Sequence, residues 1–274
     1  MRQIIMYGKD VAEKYRTEIA QKIANEKKRG KKYTLALILA GNDGASVAYL
    51  KRITKLIETL GGQTQVFQFA QNVKAKEIFS CIEKLNKNKN IDGIMPLMPM
   101  PKQIDSDAIG DAILPTKDMD CLNSINIGEL YSGRSNFAPA TARSCLAILK
   151  YYKIKLDGKK AVVLGRSNVV GKPVANLLLN ENCTVTVCHS HTKNLAKICQ
   201  EADIIIAAVG KANFLKANMI KEGAVLVDVG INVTKKGIVG DVSPLCYKKA
   251  KAYSPVPGGV GVVCNMMLAE RLVL

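Results

Sequence analysis

The stretch KKAVVLGRSNVVGKPVANLLL, Lys159 to Leu179, decides the fold, because it reads as a buried strand, a tight turn and a helix that opens on a phosphate. Ala161 to Gly165 is an apolar run with no polar face, the pattern of a parallel strand covered on both sides. Gly165 permits the turn, and Gly171 permits close backbone packing where the helix begins. Pro173 is tolerated in the first helical turn, since its missing N–H would be unpaired there anyway. Amides left unpaired at such a helix start, backed by the helix dipole, favour a dinucleotide pyrophosphate.

The run departs from GxGxxG: Ser167 replaces the middle glycine and the last glycine arrives one residue late. A Walker loop is excluded, because five residues rather than four separate Gly165 from Gly171 and Pro173 follows Lys172. The next strand, Thr184 to Cys188, ends in Cys188, His189 and Ser190, where an NAD-specific site places an Asp or Glu for the ribose hydroxyls. A small hydroxyl there, with Arg166 in the turn, suits a 2′-phosphate, so NADP is favoured over NAD. The competing reading is an ordinary α/β crossover that holds no nucleotide.

Around this unit the chain alternates elements. Strands are expected at 35–39, 64–69 and 91–95, with helices at about 46–60 and 75–85, and the second half continues with 184–188, 193–199, 203–208 and 224–228. A helix at 141–152 links the halves, PTKDMDCLN reads as a loop at a sheet edge, and an apolar helix after PVPGGVG returns to the first domain. At 274 residues and 48% hydrophobic, two domains fit: 1–138 plus 256–274, and 139–255.

Composition narrows the function. No apolar run reaches a membrane span, and the N-terminal apolar stretch is too short for a secretory signal. The eight cysteines show no CxxC pair or zinc spacing, so no metal is expected and a reducing cytoplasm fits. The net charge of +17 is spread over many segments, with five Phe and no Trp to interleave, which argues against nucleic acid and for a general attraction to anionic small molecules.

Eight segments in order, SVAYLKRITKLIETLGG (46–62), DGIMPLMPMP (92–101), PTKDMDCL (115–122), GRSNVVGKP (165–173), TVTVCHSHT (184–192), DVGIN (228–232), GDV (240–242) and PVPGGVG (255–261), resemble the methylenetetrahydrofolate dehydrogenase/cyclohydrolase family across nearly the whole chain. The resemblance implies an α/β fold with an N-terminal folate-binding catalytic domain, a C-terminal Rossmann-like NADP domain, an active site in the cleft between them, and a homodimer through the nucleotide domain. Tyr49 matches the tyrosine that stacks on the folate ring, and Asp120 the carboxylate that accepts hydrogen bonds from the pterin; these are the two catalytic candidates. Gly258, Gly259 and Val260 match the turn against the substrate. Gly165, Arg166, Ser167, Ser190 and Ile231 match cofactor contacts. Asp118 reads as a solvated loop charge and His189 as structural.

The chain also departs from that pattern. The family's lysine four residues after the tyrosine, which serves the cyclohydrolase step, is Ile53 here, and the glutamine that partners it is Leu97. At about 100° per residue Ile53 lies about 40° from Tyr49, whereas Lys51 and Lys55 lie about 200° and 120° away. Arg52 lies about 60° away but holds its proton too tightly to exchange it. Cys121, Val262 and Cys264 replace a glycine, a proline and a common threonine. The expectation is NADP-dependent oxidation of 5,10-methylenetetrahydrofolate without cyclohydrolase activity. The alternatives are the bifunctional enzyme, a different pterin carrier and a silent folate or nucleotide binder.

Overall fold

A computed structural model describes residues 3–135, 137–235 and 237–274. In chain order its strands and α-helices are β1 (Ile4–Ile5), α1 (Gly8–Lys28), β2 (Thr34–Ala40), α2 (Gly44–Thr59), β3 (Gln63–Phe69), α3 (Ala75–Lys87), β4 (Gly93–Pro96), α4 (Ser106–Ala112), α5 (Ser124–Tyr131), α6 (Ala140–Tyr151), β5 (Lys160–Leu164), α7 (Gly171–Asn180), β6 (Thr184–Cys188), α8 (Leu195–Glu201), β7 (Ile204–Ala207), β8 (Val225–Asp228), β9 (Asn232–Thr234), β10 (Gly237–Val239), β11 (Ala252–Tyr253) and α9 (Val260–Leu272). The chain divides into two compact units, one of residues 14–137 and 265–274, the other of 1–13 and 138–264. Residues 1–13 and 256–264, which the sequence reading groups with the first domain, thus cluster with the nucleotide-type unit. The reason for residues 1–13 is local: β1 pairs with β11, and the Gly8 amide donates to Gly258 O at 2.7 Å.

In the first unit β2 lies between β3 and β4 in a parallel sheet. All seven residues of β2 are buried, which explains the unbroken apolar run TLALILA. Helix α2 turns Ser46, Leu50, Ile53 and Ile57 inward at helical spacing, and α3 turns in Ile78, Ile82 and Leu85. Complete burial of an isoleucine such as Ile53 contributes about 1.5–3 kcal/mol. The PTKDMD segment runs along the free edge of β4, where the Ile94 amide donates to Lys117 O at 2.7 Å. From α9, Arg271 donates Nε to Asp118 O at 3.1 Å and Nη2 to Pro115 O at 3.1 Å, with its guanidinium 4.2 Å from the Phe137 ring centre.

In the second unit six parallel strands follow the order β1-β11-β8-β7-β5-β6, a doubly wound Rossmann-like sheet. Its order reverses at β5, which pairs with β6 on one side and β7 on the other. The short outer strands β1 and β11, the β9–β10 hairpin and helix α5 are elements the sequence pattern does not announce.

Candidate active site and nucleotide pocket

The carboxyl ends of β5, β6 and β7 converge on a pocket of about 340 Å³ in the second unit. Ligands in open α/β sheets bind at such a reversal of strand order. Gly165, Arg166, Ser167 and Ser190 all line it, so four of the five expected cofactor contacts meet in one place. Ile231 does not line it and is 65% exposed. Leu164, Leu195, Val209 and Phe214 add apolar wall, the surface an adenine face requires.

The glycines are there for backbone approach. Gly165 has φ +113°, and a Cβ on it would stand 2.2 Å from Ala208 O; one on Gly171 would stand 2.3 Å from Gly165 O. The helix start differs from the expectation of unpaired amides. The Ser167 hydroxyl accepts from the amides of Val170 and Gly171 at 3.2 and 3.3 Å, and Ser167 O accepts from Lys172 at 3.1 Å. A serine where the fingerprint has glycine supplies its own oxygen to these donors.

His189 is part of the pocket wall, and its Nδ1 accepts from the amide of His191 at 3.2 Å while its own amide donates to Thr192 Oγ1 at 2.8 Å. The imidazole is thereby held within its turn.

Two buried aspartates that the sequence reading leaves without a role organise the loops beside the pocket. Asp241, 0% exposed, accepts from the amides of Val209, Gly210 and Lys211 at 2.6, 2.8 and 2.9 Å and from Asn232 Nδ2 at 2.9 Å. Asp228 accepts from the amides of Gly230, Asp241 and Val242 at 3.0, 2.9 and 2.9 Å. Burial pushes the Asp228 carboxyl up to about 6, outweighing the three amides that pull it down. The motifs DVGIN and GDV are therefore loop anchors, and the aspartate common to both was the available signal.

In the first unit Tyr49 on α2 and Asp120 on the β4-edge loop are both half-buried. Asp118 is not a solvated charge. It is 0% exposed and accepts from the amides of Asp120, Leu122 and Asn123 at 3.2, 3.1 and 3.0 Å and from Asn126 Nδ2 at 2.7 Å. The loop backbone curls round this carboxylate, which replaces the water it would otherwise require. Lys117 beside it donates its ammonium to the carbonyls of Leu85, Asn86 and Asn88 at 2.8, 2.9 and 2.7 Å, and its pKa is lowered by burial. These carbonyls end α3, where a cation is favoured.

Ile53 and Leu97 are 0% and 2% exposed, and the Leu97 amide donates to Ile38 O at 2.9 Å. Arg52 is exposed. In the second unit the Gly258 φ of +107° requires glycine, and a Cβ on Gly259 would stand 2.6 Å from Pro255 O. Val260 begins α9 and is buried.

A Rossmann-like unit with a pocket at its strand reversal, joined in sequence to a second α/β unit, defines the class of two-domain nucleotide-dependent enzymes. Residues 139–274 match the tetrahydrofolate dehydrogenase/cyclohydrolase NAD(P)-binding domain, and residues 6–120 match the catalytic domain of the same family. The chain is 44% identical over 273 residues to the bifunctional protein FolD of Clostridium kluyveri, covering 98% of this chain and 96% of that one. Among solved structures it resembles the bifunctional FolD of Campylobacter jejuni, with 40% identity, TM-score 0.97 and coverage of 99% and 98% of the two chains. It also resembles the Trypanosoma brucei methylenetetrahydrofolate dehydrogenase-cyclohydrolase complexed with NADP and an inhibitor, with 32% identity, TM-score 0.92 and coverage of 99% and 97%. The chain belongs to the tetrahydrofolate dehydrogenase/cyclohydrolase family.

Proposed function

We propose that this protein oxidises 5,10-methylenetetrahydrofolate to 5,10-methenyltetrahydrofolate with NADP, the first unit holding the folate and the second the nucleotide. The observation that carries it is the convergence of Gly165, Arg166, Ser167 and Ser190 on one pocket whose lining contains no Asp or Glu. An NAD site places an acid at the end of β6; here Ser190 and Arg166 suit a phosphate ester. The Trypanosoma brucei relative, crystallised with NADP, supports the choice. NADP supplies a hydride acceptor when bound.

The chain's own residues position and orient. The Tyr49 ring offers a flat face to the folate ring, and Asp120 offers acceptors to the pterin donor edge. Asp118 fixes the loop carrying Asp120. Gly258, Gly259 and Val260 bring backbone near the substrate, and Ile231 completes the nucleotide contacts. The nitrogen lone pairs of the substrate stabilise the cation formed when the hydride leaves, so no general base is needed and alignment does most of the work.

The relatives' names as bifunctional proteins favour extending the activity to hydrolysis of the methenyl product, giving 10-formyltetrahydrofolate. Identity of 44% over nearly the whole chain makes this two-step reading better supported than the dehydrogenase-only expectation. One specific observation favours the latter: Ile53 and Leu97 are buried aliphatics that offer no proton to a tetrahedral centre. Purified protein given methylenetetrahydrofolate and NADP or NAD, and separately the methenyl compound alone, decides. Enzyme-dependent hydrolysis establishes two steps; accumulation of methenyl product at the buffer rate of hydrolysis establishes one; no turnover with either cofactor removes the proposal.

The eight cysteines carry no CxxC pair or disulfide-framework spacing, which supports a reducing compartment, and we place the protein in the cytoplasm. Association as a homodimer through the nucleotide unit belongs to the same proposal, and light scattering behind gel filtration measures it.

A further inference from the structure

The nucleotide pocket carries a second cation that lies outside the glycine turn. Lys211 lines it together with Arg166, and the lining contains no carboxylate to neutralise either. Lys211 reaches the pocket from the loop after β7, whereas Arg166 comes from the loop after β5 and Ser190 from the loop after β6. A phosphate monoester carries close to two negative charges near neutral pH, more than one guanidinium balances.

The backbone under Lys211 is unusually well fixed for a loop. Three successive amides, of Val209, Gly210 and Lys211, donate to the single buried carboxylate of Asp241. The same loop is tied further along, where the Asn213 amide donates to Gly240 O at 3.0 Å and the Leu215 amide to Asp241 O at 2.9 Å. Asp241 is absent from the pocket lining, so its charge is spent on the backbone behind the wall while the Lys211 side chain is exposed. An exposed lysine on a mobile loop loses entropy when it binds; fixing its backbone removes part of that loss before the ligand arrives.

We propose that Lys211 is a specificity-determining residue for the nucleotide, its ammonium taking the 2′-phosphate jointly with Arg166 and Ser190, and that Asp241 is the positioning residue that presents it. This rests on the NADP reading above and names the group that enforces it. Charge-assisted contacts of this kind change affinity by about ten-fold or more.

The test is calorimetric titration of the full chain with 2′,5′-ADP and with 5′-AMP, which differ by the one phosphate and contain no nicotinamide. The wild type should prefer 2′,5′-ADP. Lys211→Met should lose about ten-fold on 2′,5′-ADP and nothing on 5′-AMP, with an unchanged melting temperature because the side chain is exposed, and Lys211→Arg should restore most of the preference. Asp241→Asn should narrow the preference in the same direction. Equal losses on both ligands, or none on either, overturn the role of Lys211 while leaving the NADP reading intact. A wild type that binds the two ligands equally removes the NADP reading and the role of Lys211 together.

Discussion

Asp228 Oδ1 accepts the amide of Asp241 at 2.9 Å, so one buried carboxylate fixes the backbone of the residue whose own carboxylate fixes the next loop. Asp241→Ala leaves four donors without that acceptor. Stability should fall by about 3–5 kcal/mol. Urea unfolding measures it, and a loss under about 1 kcal/mol would show that the contacts are incidental.

The Asp228 carboxyl gives a pH signature. Raised from 3.8 to about 6 by burial, it keeps its proton in the folded chain where the unfolded chain has released it. The folded state then binds more protons between those values, so this group's contribution to stability is fully present below 3.8 and is lost as pH rises through about 6. Calorimetric melting of wild type and Asp228→Asn should give a difference that declines across that window and is flat from pH 7 to 8.

Asp118→Ala should loosen the loop that carries Asp120. We expect a loss of about 2–4 kcal/mol of stability and weaker folate binding, with affinity for 2′,5′-ADP unchanged. Parallel loss of both affinities would mean global damage rather than a local role.

Gly171→Ala places a methyl 2.3 Å from Gly165 O, where only backbone can yield. Nucleotide affinity should drop at least ten-fold by calorimetry, whereas Gly128→Ala, with open space around it, should leave it unchanged.

If the wild type lacks hydrolysis, Ile53→Lys with Leu97→Gln should introduce it, since both side chains then carry groups able to move or orient a proton. Burial of the new polar groups should also lower the melting temperature. A folded double variant without hydrolysis would show that this pair is not the sufficient cause.

The strand–turn–helix of 160–180 was legible because a strand buried on both faces leaves an unbroken apolar run and its turn needs glycine. Arg166 and Ser190, singled out by their motifs, line one pocket. Asp118 was not: an acid among polar neighbours reads as solvated, and only the folded loop reveals that three amides converge on it. Ser167 reads as a missing glycine until its hydroxyl is seen over two amides. Helix α5 leaves no clear period in the sequence because Ile125, Ile127 and Tyr131 are exposed. The two-residue strands β1 and β11 are too short to leave a pattern.

The first unit is assembled from residues 14–137 and 265–274, with Arg271 bonded to its β4-edge loop. During synthesis the ribosome must translate residues 138–264 between these segments, which takes roughly 6 to 25 seconds. Through that interval the earliest-made sheet lacks its closing segment and depends on cellular chaperones or on its own solubility. A stop codon anywhere before Arg271 therefore damages the unit that was made first.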